Sequence, residues 1–169
     1  MIRHEIPISS FSYDPSLLRD RWLSLFAGDF SLSQYNAMTI SWGSYGQVWN
    51  RMFFQVFVRP TRYTYEFMER FDTFTLNAFE PEYEHALSII GSKSGRYGDK
   101  LALAGLTAEA SRKVAAPCFN EARLVIECHK IYWQDLDRTH FLESTIESNY
   151  PKKDYHRVYF GEIVSVSEA

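Results

Sequence analysis

Phe53-Phe54-Gln55-Val56-Phe57-Val58-Arg59-Pro60-Thr61-Arg62-Tyr63-Thr64 is an apolar, strand-like run that ends abruptly in two guanidinium groups and two hydroxyls. A chain that stops burying side chains and at once presents fixed anion-binding groups describes a site. Tyr63, Phe67, Met68 and Phe71 then recur at helical spacing, which predicts a helix over Thr61 to Arg70 with Pro60 at its start. Backbone N–H groups at such a helix start can point at the same anion as Arg59, Arg62 and Thr64.

Working outward, Asn36 to Trp42 alternates with period two. Met38, Ile40 and Trp42 share one face, and Ala37, Thr39 and Ser41 share the other. Gly43 to Gly46 reads as the turn that follows. Phe71 to Phe79 is a further strand, with Phe74, Leu76 and Ala78 opposing Thr73, Thr75 and Asn77. A short helix is expected through Leu17, Leu18 and Trp22, another from Pro81 to a stop at Gly91, and a third from Asp99 to Ala104 ending at Gly105. Ala122 to Cys128 alternates again and continues through Tyr132 and Gln134. Tyr155 to Phe160 and Gly161 to Val166 read as a strand pair, with Gly161 suited to a bulge.

Many non-local strands with short helices between them favour a mainly β barrel with peripheral helices over a doubly wound parallel sheet. The Gly-x-Gly-x-x-Gly dinucleotide fingerprint is absent. The 169 residues suit one domain spanning 1–169, with 1–15 an irregular N-terminal arm. Aromatic residues make up 17% of the chain, enough for a ring-binding pocket or a subunit interface besides an aromatic-rich core. A net charge of −3 without a long basic tract argues against nucleic acid as the main partner. No apolar stretch approaches a membrane span, and Met1 to Glu5 lacks a signal-length apolar run, so a cytoplasmic location is expected. Cys118 and Cys128 lack metal-site spacing and read as buried reduced thiols.

A glycine-rich loop, Gly91-Ser92-Lys93-Ser94-Gly95-Arg96-Tyr97-Gly98-Asp99-Lys100, supplies hydroxyls, cations and flexible backbone for a second anion-holding segment. It is not a Walker loop, because Lys93 precedes Gly95 instead of following it. The small polar face of Asn36 to Trp42 can border a planar heterocycle, with Asn77 and Phe79 lining the same space from a neighbouring strand. His129 and His156 have no partners at metal-ligand spacing, and no metal is expected. His156 is given a supporting pocket role. Asp135, Asp137, Glu143 and Glu147 read as solvated surface. No residue stands out as a proton-transfer catalyst, which points to chemistry carried by a cofactor.

Taken in order, Asn36 to Trp42, Arg59 to Thr64, Phe74 to Asn77, Gly91 to Arg96 with Asp99-Lys100, and His156-Arg157-Val158-Tyr159-Phe160-Gly161-Glu162-Ile163 resemble the flavin reductase-like family of FMN-binding split barrels, which includes flavoredoxin. The resemblance covers roughly residues 20 to 165. It implies a homodimeric split β-barrel that binds FMN near the subunit interface. It places Thr39, Ile40, Ser41 and Trp42 beside the isoalloxazine, and Arg59, Arg62 and Thr64 on the phosphate side. Asn77, Ala78 and Phe79 would support the flavin from the next strand. Ser92, Ser94, Arg96 and Lys100 would close the loop around phosphate and ribityl, with His156 at the reduction site as the catalytic candidate. The implied activity is an FMN-dependent oxidoreductase fed by NAD(P)H or a protein electron donor. An FMN-binding electron carrier or sensor without NAD(P)H turnover is the first alternative, and a non-enzymatic structural or peptide-binding barrel that dimerises through its aromatics is the second.

Overall fold

In the computed structural model, which describes residues 1–169, the alternating segments pair antiparallel into one long sheet. Its strands are β1 (His4–Glu5), β2 (Leu23–Asp29), β3 (Gln34–Ile40), β4 (Gly43–Val48), β5 (Arg51–Val58) and β6 (Thr73–Ala78), followed after a separate pair, β7 (Ala108–Glu109) and β8 (Cys118–Phe119), by β9 (Leu124–Asp135) and β10 (Arg157–Glu168). The helices are α1 (Ser16–Arg21), α2 (Tyr63–Arg70), α3 (Glu84–Ser92) and α4 (Lys100–Ala104). None is long and apolar enough to cross a membrane.

The strand order is β3-β2-β6-β9-β10-β5-β4, with β1 on the far half of β10. Alternation explains why this sheet closes on itself. Inward residues from β3 (Met38, Ile40) share one core with inward residues from β5 (Phe54, Val56, Val58), near the opposite end of the strand order. The sheet therefore curls until its ends meet over Leu25, Phe74, Leu76, Ile126 and Tyr159. β3 and β4 are consecutive in the chain yet not paired, so the barrel stays split there, at Ser41 and Trp42. The opposite faces of β2 and β3 build a second core, in which Phe26 and Ala37 pack against Ala86, Leu87 and Ile90 of α3.

Several sequence expectations change. Gly43 to Gly46 is not a turn but the start of β4. The hairpin turn falls instead on Trp49 and Asn50, whose φ of 51° and 58° match the two-residue turn that suits twisted antiparallel strands. Gly43 lacks a side chain because a β-carbon there would press on the Gln55 carbonyl. The segment after Leu18 turns at Trp22, with φ 55°, into β2, a strand buried continuously from Leu23 to Gly28, Ser24 included, so that no exposed face marks its alternation. Tyr155 to Val166 is not two strands. From Arg157 on it belongs to the single strand β10, whose register shifts at Phe160/Gly161 and Ile163/Ser165 let it bend and pair with β9, β5 and β1. Gly161 is required there, since a β-carbon would overlap the Phe74 ring. The arm is less irregular than expected. β1 pairs with β10, and the Arg3 guanidinium donates to the carbonyls of Phe119 and Ala122 at 3.0 and 2.7 Å.

Candidate functional site

The chain leaves β5 through a turn in which the Arg62 N–H donates to the Arg59 carbonyl at 3.0 Å. Pro60 sits inside this turn, where its fixed φ is favourable, and not at the helix start as expected. Arg62 itself caps α2, in extended conformation (φ −79°, ψ 137°). The two arginines then serve different clefts.

Arg62, Thr64, Ser92, Ser94, Arg96 and Lys100 line one cleft of about 170 Å³. The structure thus gathers six of the residues expected around an anion. Its floor is the C-terminal end of α3, whose last carbonyls attract cations. Arg62 Nη2 donates to the Gly91 carbonyl at 2.6 Å, and Lys100 Nζ donates to the carbonyls of Ile90 and Lys93 at 3.1 and 3.3 Å. Burial, with Arg62 nearby, pushes the Lys100 ammonium down to about 8. Burial, with Arg59 adding to it, also pushes Arg62 below its ordinary range. An ammonium has three N–H groups and a guanidinium five, so both keep donors for a ligand. Arg96 pairs with Glu66 at 2.5 Å and lies 4.8 Å from the Tyr63 ring centroid, on the outer wall.

Asn36, to which the sequence alone assigns no role, ties these parts together. Its buried side chain donates to Thr64 Oγ1 at 2.7 Å, and a β-carbon on Gly95 would overlap its Oδ1. Strand β3, helix α2 and the glycine-rich loop therefore meet at one amide.

A second cleft, about 150 Å³, is lined by Thr39, Ile40, Ser41, Trp42, Phe57, Arg59 and His156, and Met38 borders both clefts. Thr39 to Trp42 and His156 come together here as expected. Arg59 joins them instead of Arg62. Its guanidinium donates to Asp154 at 3.1 Å and to the Asn149 carbonyl at 2.8 Å, and it stands 5.2 Å from the Tyr150 ring centroid. The His156 ring, 8% exposed, lies 5.1 Å from the Trp42 ring and has its Nδ1 2.8 Å from the Tyr150 hydroxyl. Burial first, then the Arg59 charge, push His156 down to about 4, with Asp154 opposing. Sequence reasoning missed Tyr150 and Asp154. Their only signal was nearness to His156 in the chain.

Asn77, Ala78 and Phe79 line neither cleft. β6 is an inner strand covered by β8, so its polar residue is consumed in tying these layers. Asn77 Nδ2 donates to Thr75 Oγ1 at 2.9 Å, and its Oδ1 accepts the Phe119 N–H at 3.1 Å. Phe79 packs on Phe119 with ring centroids 5.5 Å apart. Cys118 and Cys128 are free and buried, and burial pushes the Cys118 thiol up to about 11. His129 lies exposed on β9. A larger groove of about 740 Å³ shares Asn36, Tyr63 and Lys100 with the anion cleft and opens it toward α4. No three His, Cys, Asp or Glu side chains gather as a metal would need.

The family model described as "Flavin reductase like domain" matches residues 31–169. Among solved structures, the chain is similar to flavoredoxin of Desulfovibrio vulgaris (Miyazaki F), with TM-score 0.68, 22% identity, and coverage of 88% of this chain and 69% of that one. It is similar to the FMN-binding domain of a flavin reductases-like enzyme from Shewanella baltica OS155, with TM-score 0.71, 15% identity, and coverage of 99% and 77%. It is also similar to the FMN-binding protein of Thermus thermophilus solved with bound 1-cyclohex-2-enone, with TM-score 0.68, 17% identity, and coverage of 88% and 70%. No curated protein matches the chain. The fold is the split barrel that these structures share, and the family match spans most of the sequence. The chain belongs to the flavin reductase-like domain family.

Proposed function

We propose that the protein is an FMN-dependent oxidoreductase that takes electrons from NAD(P)H or a protein donor and delivers them to an acceptor. The observation that carries this reading is the pair of clefts meeting at Met38, one cationic and one walled by Trp42, Phe57 and His156. Each is smaller than the roughly 300–1,000 Å³ of an ordinary small-molecule pocket, so a ligand with a dianionic end and a planar end suits the two together. FMN has that shape and charge, and the donor set fits it. Similar solved structures described as FMN-binding add support.

In this assignment Arg62 and Lys100 hold the phosphate, with Thr64, Ser92 and Ser94 offering hydroxyls and Arg96 closing the rim. Thr39 to Trp42 run along the ring, with Arg59 and His156 at its far edge. FMN held here would supply two-electron redox chemistry between donor and acceptor. The chain's own part is to orient that ring and to exclude water from the Met38 and Ile40 side, where both residues are buried.

A homodimer belongs to the same proposal. Phe53 of β5, Phe160 of β10, Tyr132 of β9 and Trp49 form an aromatic cluster on the outer face, with Phe53 and Phe160 centroids 5.3 Å apart and Tyr132 and Phe160 5.5 Å apart. Trp49 is 60% exposed, so no element of this chain covers it. Phe57, on the same face of β5, leads from this cluster to the ring-side cleft.

The second reading, an electron carrier without NAD(P)H turnover, is favoured by one observation: Arg59 is already paired with Asp154, which leaves no unpaired cation at the ring-side cleft for a nicotinamide dinucleotide. The anaerobic visible spectrum of the FMN-loaded protein decides between them. Bleaching on addition of NADH or NADPH supports the reductase, and bleaching only with a chemical reductant supports the carrier.

A further inference from the structure

We infer that Tyr150 is a positioning residue: its hydroxyl donates to Nδ1 and so holds His156 in the tautomer that carries its proton on Nε2, making His156 a fixed neutral hydrogen-bond donor to the ring-side cleft. The geometry is specific. The Tyr150 hydroxyl and His156 Nδ1 are 2.8 Å apart and buried. Nε2 has no protein partner and is not among the enclosed unpaired atoms, while the ring lines the cleft.

The direction of the bond follows from the neighbours. A phenol is a better donor than a neutral imidazole, and neutral Nδ1 is the better acceptor. Burial pushes the Tyr150 phenol up, which keeps it protonated as a donor, and the Arg59 guanidinium, 5.2 Å from its ring centroid, opposes that shift only in part. Tyr150 is itself held in place. It stacks on Phe141 with centroids 6.0 Å apart and meets Tyr155 at 5.0 Å, while Arg59 clamps the segment through Asp154 and the Asn149 carbonyl.

The charged and titratable groups around His156 are Arg59, Asp154 and Tyr150. Arg59 and Asp154 neutralise one another, and Trp42 and Phe57 supply only rings. Only Asp154 favours the imidazolium, and burial together with the Arg59 charge outweighs it, pushing His156 down to about 4. At neutral pH it therefore does not deliver a proton. It orients an acceptor oxygen, such as a carbonyl of a planar heterocycle or of a second substrate.

That functional role rests on the flavin reading of the cleft, whereas the tautomer does not. Histidine ¹⁵N spectra of the protein without flavin, at pH 5 to 8, test the tautomer directly. The wild type is expected to show a single Nε2–H signature for His156, unchanged across that range, and Tyr150→Phe, which keeps the ring and its stacking, is expected to show a mixture of tautomers. An Nδ1–H signature, or a His156 titration between pH 5 and 8, overturns the inference. In the FMN-loaded protein, His156→Gln offers a neutral, non-titrating N–H and is expected to keep turnover within about tenfold, while His156→Ala loses more than that. Equal loss in the two variants also overturns it. Failure to bind FMN would sink the functional reading and leave the tautomer to be decided by the spectra alone.

Discussion

Gly91 of α3 lies directly against the side chain of Thr39 on β3, so closely that a β-carbon on Gly91 would overlap the Thr39 hydroxyl. The sequence suggested that Gly91 ends the helix. Its function is instead close approach, because α3 runs on to Ser92 and its Gly91 carbonyl accepts from Arg62. Gly91→Ala is expected to lower stability by about 1–3 kcal/mol through overpacking. Urea unfolding checks this, and Thr39→Ala in the same chain is expected to recover most of the loss. An unchanged midpoint for Gly91→Ala would contradict the packing described.

Lys100 makes anion binding depend on pH. In the free protein it is charged below about 8 and largely neutral by pH 9, whereas its ordinary value is 10.5. An anion beside it favours the charged form, so binding takes up a proton in this window. FMN affinity is expected to fall about tenfold from pH 7 to pH 9, a loss of the size of one charge-assisted hydrogen bond. Fluorescence titration of Lys100→Met should give weaker binding that is flat with pH. The same pH dependence in wild type and variant would exclude Lys100 as its source.

His156 gives stability a slope of defined sign. Its value in the folded protein, about 4, lies below the ordinary 6.5, so the unfolded chain binds more protons between those limits. Stability therefore rises with pH across that window and is lost as pH falls below about 6.5, by at most about 3 kcal/mol. His156→Gln should flatten this slope in urea midpoints taken from pH 4 to 7. A slope unaffected by that substitution would place the effect elsewhere.

Glu127 of β9 is 1% exposed, and its carboxylate accepts the backbone N–H groups of Arg112, Lys113 and Val114 at 2.9, 2.7 and 3.2 Å. One carboxylate thus anchors the loop that leads into β8. Glu127→Gln replaces one acceptor oxygen with a donor and is expected to cost about 2–3 kcal/mol. Hydrogen exchange should show lost protection confined first to residues 110–116. Full protection there would contradict the anchoring role.

Much of the fold was legible where alternation was clean. Met38 and Ile40 point into the barrel and Ala37 toward α3, as the period-two reading required. Asp99 and Gly105 bound α4 because an acidic cap and a left-handed glycine are local signals. β2 was not legible, because both its faces are buried and the alternation that marks a half-exposed strand is missing. β4 was misread because Gly43 serves close packing, a cause that sequence cannot separate from turn formation. In the site, the ordered segments gave the anion cleft and the ring-side strand. They did not separate Arg59 from Arg62, since that depends on Asp154 and Tyr150, about ninety residues further along. Nor could they show that Asn77 is spent on Phe119, a partner brought close only by the packing of β8 on β6.

In the proposed assignment the cleft of Arg62 and Lys100 holds the phosphate of FMN, while Arg59 belongs to the ring-side end. Parallel titrations of the protein with FMN and riboflavin test it most directly, because the two ligands differ only in that phosphate. The wild type is predicted to bind FMN about 100-fold more tightly than riboflavin, as two charge-assisted contacts imply. Arg62→Ala should erase most of that preference and Arg59→Ala should leave it nearly intact. Equal affinity of the wild type for FMN and riboflavin would contradict the claim.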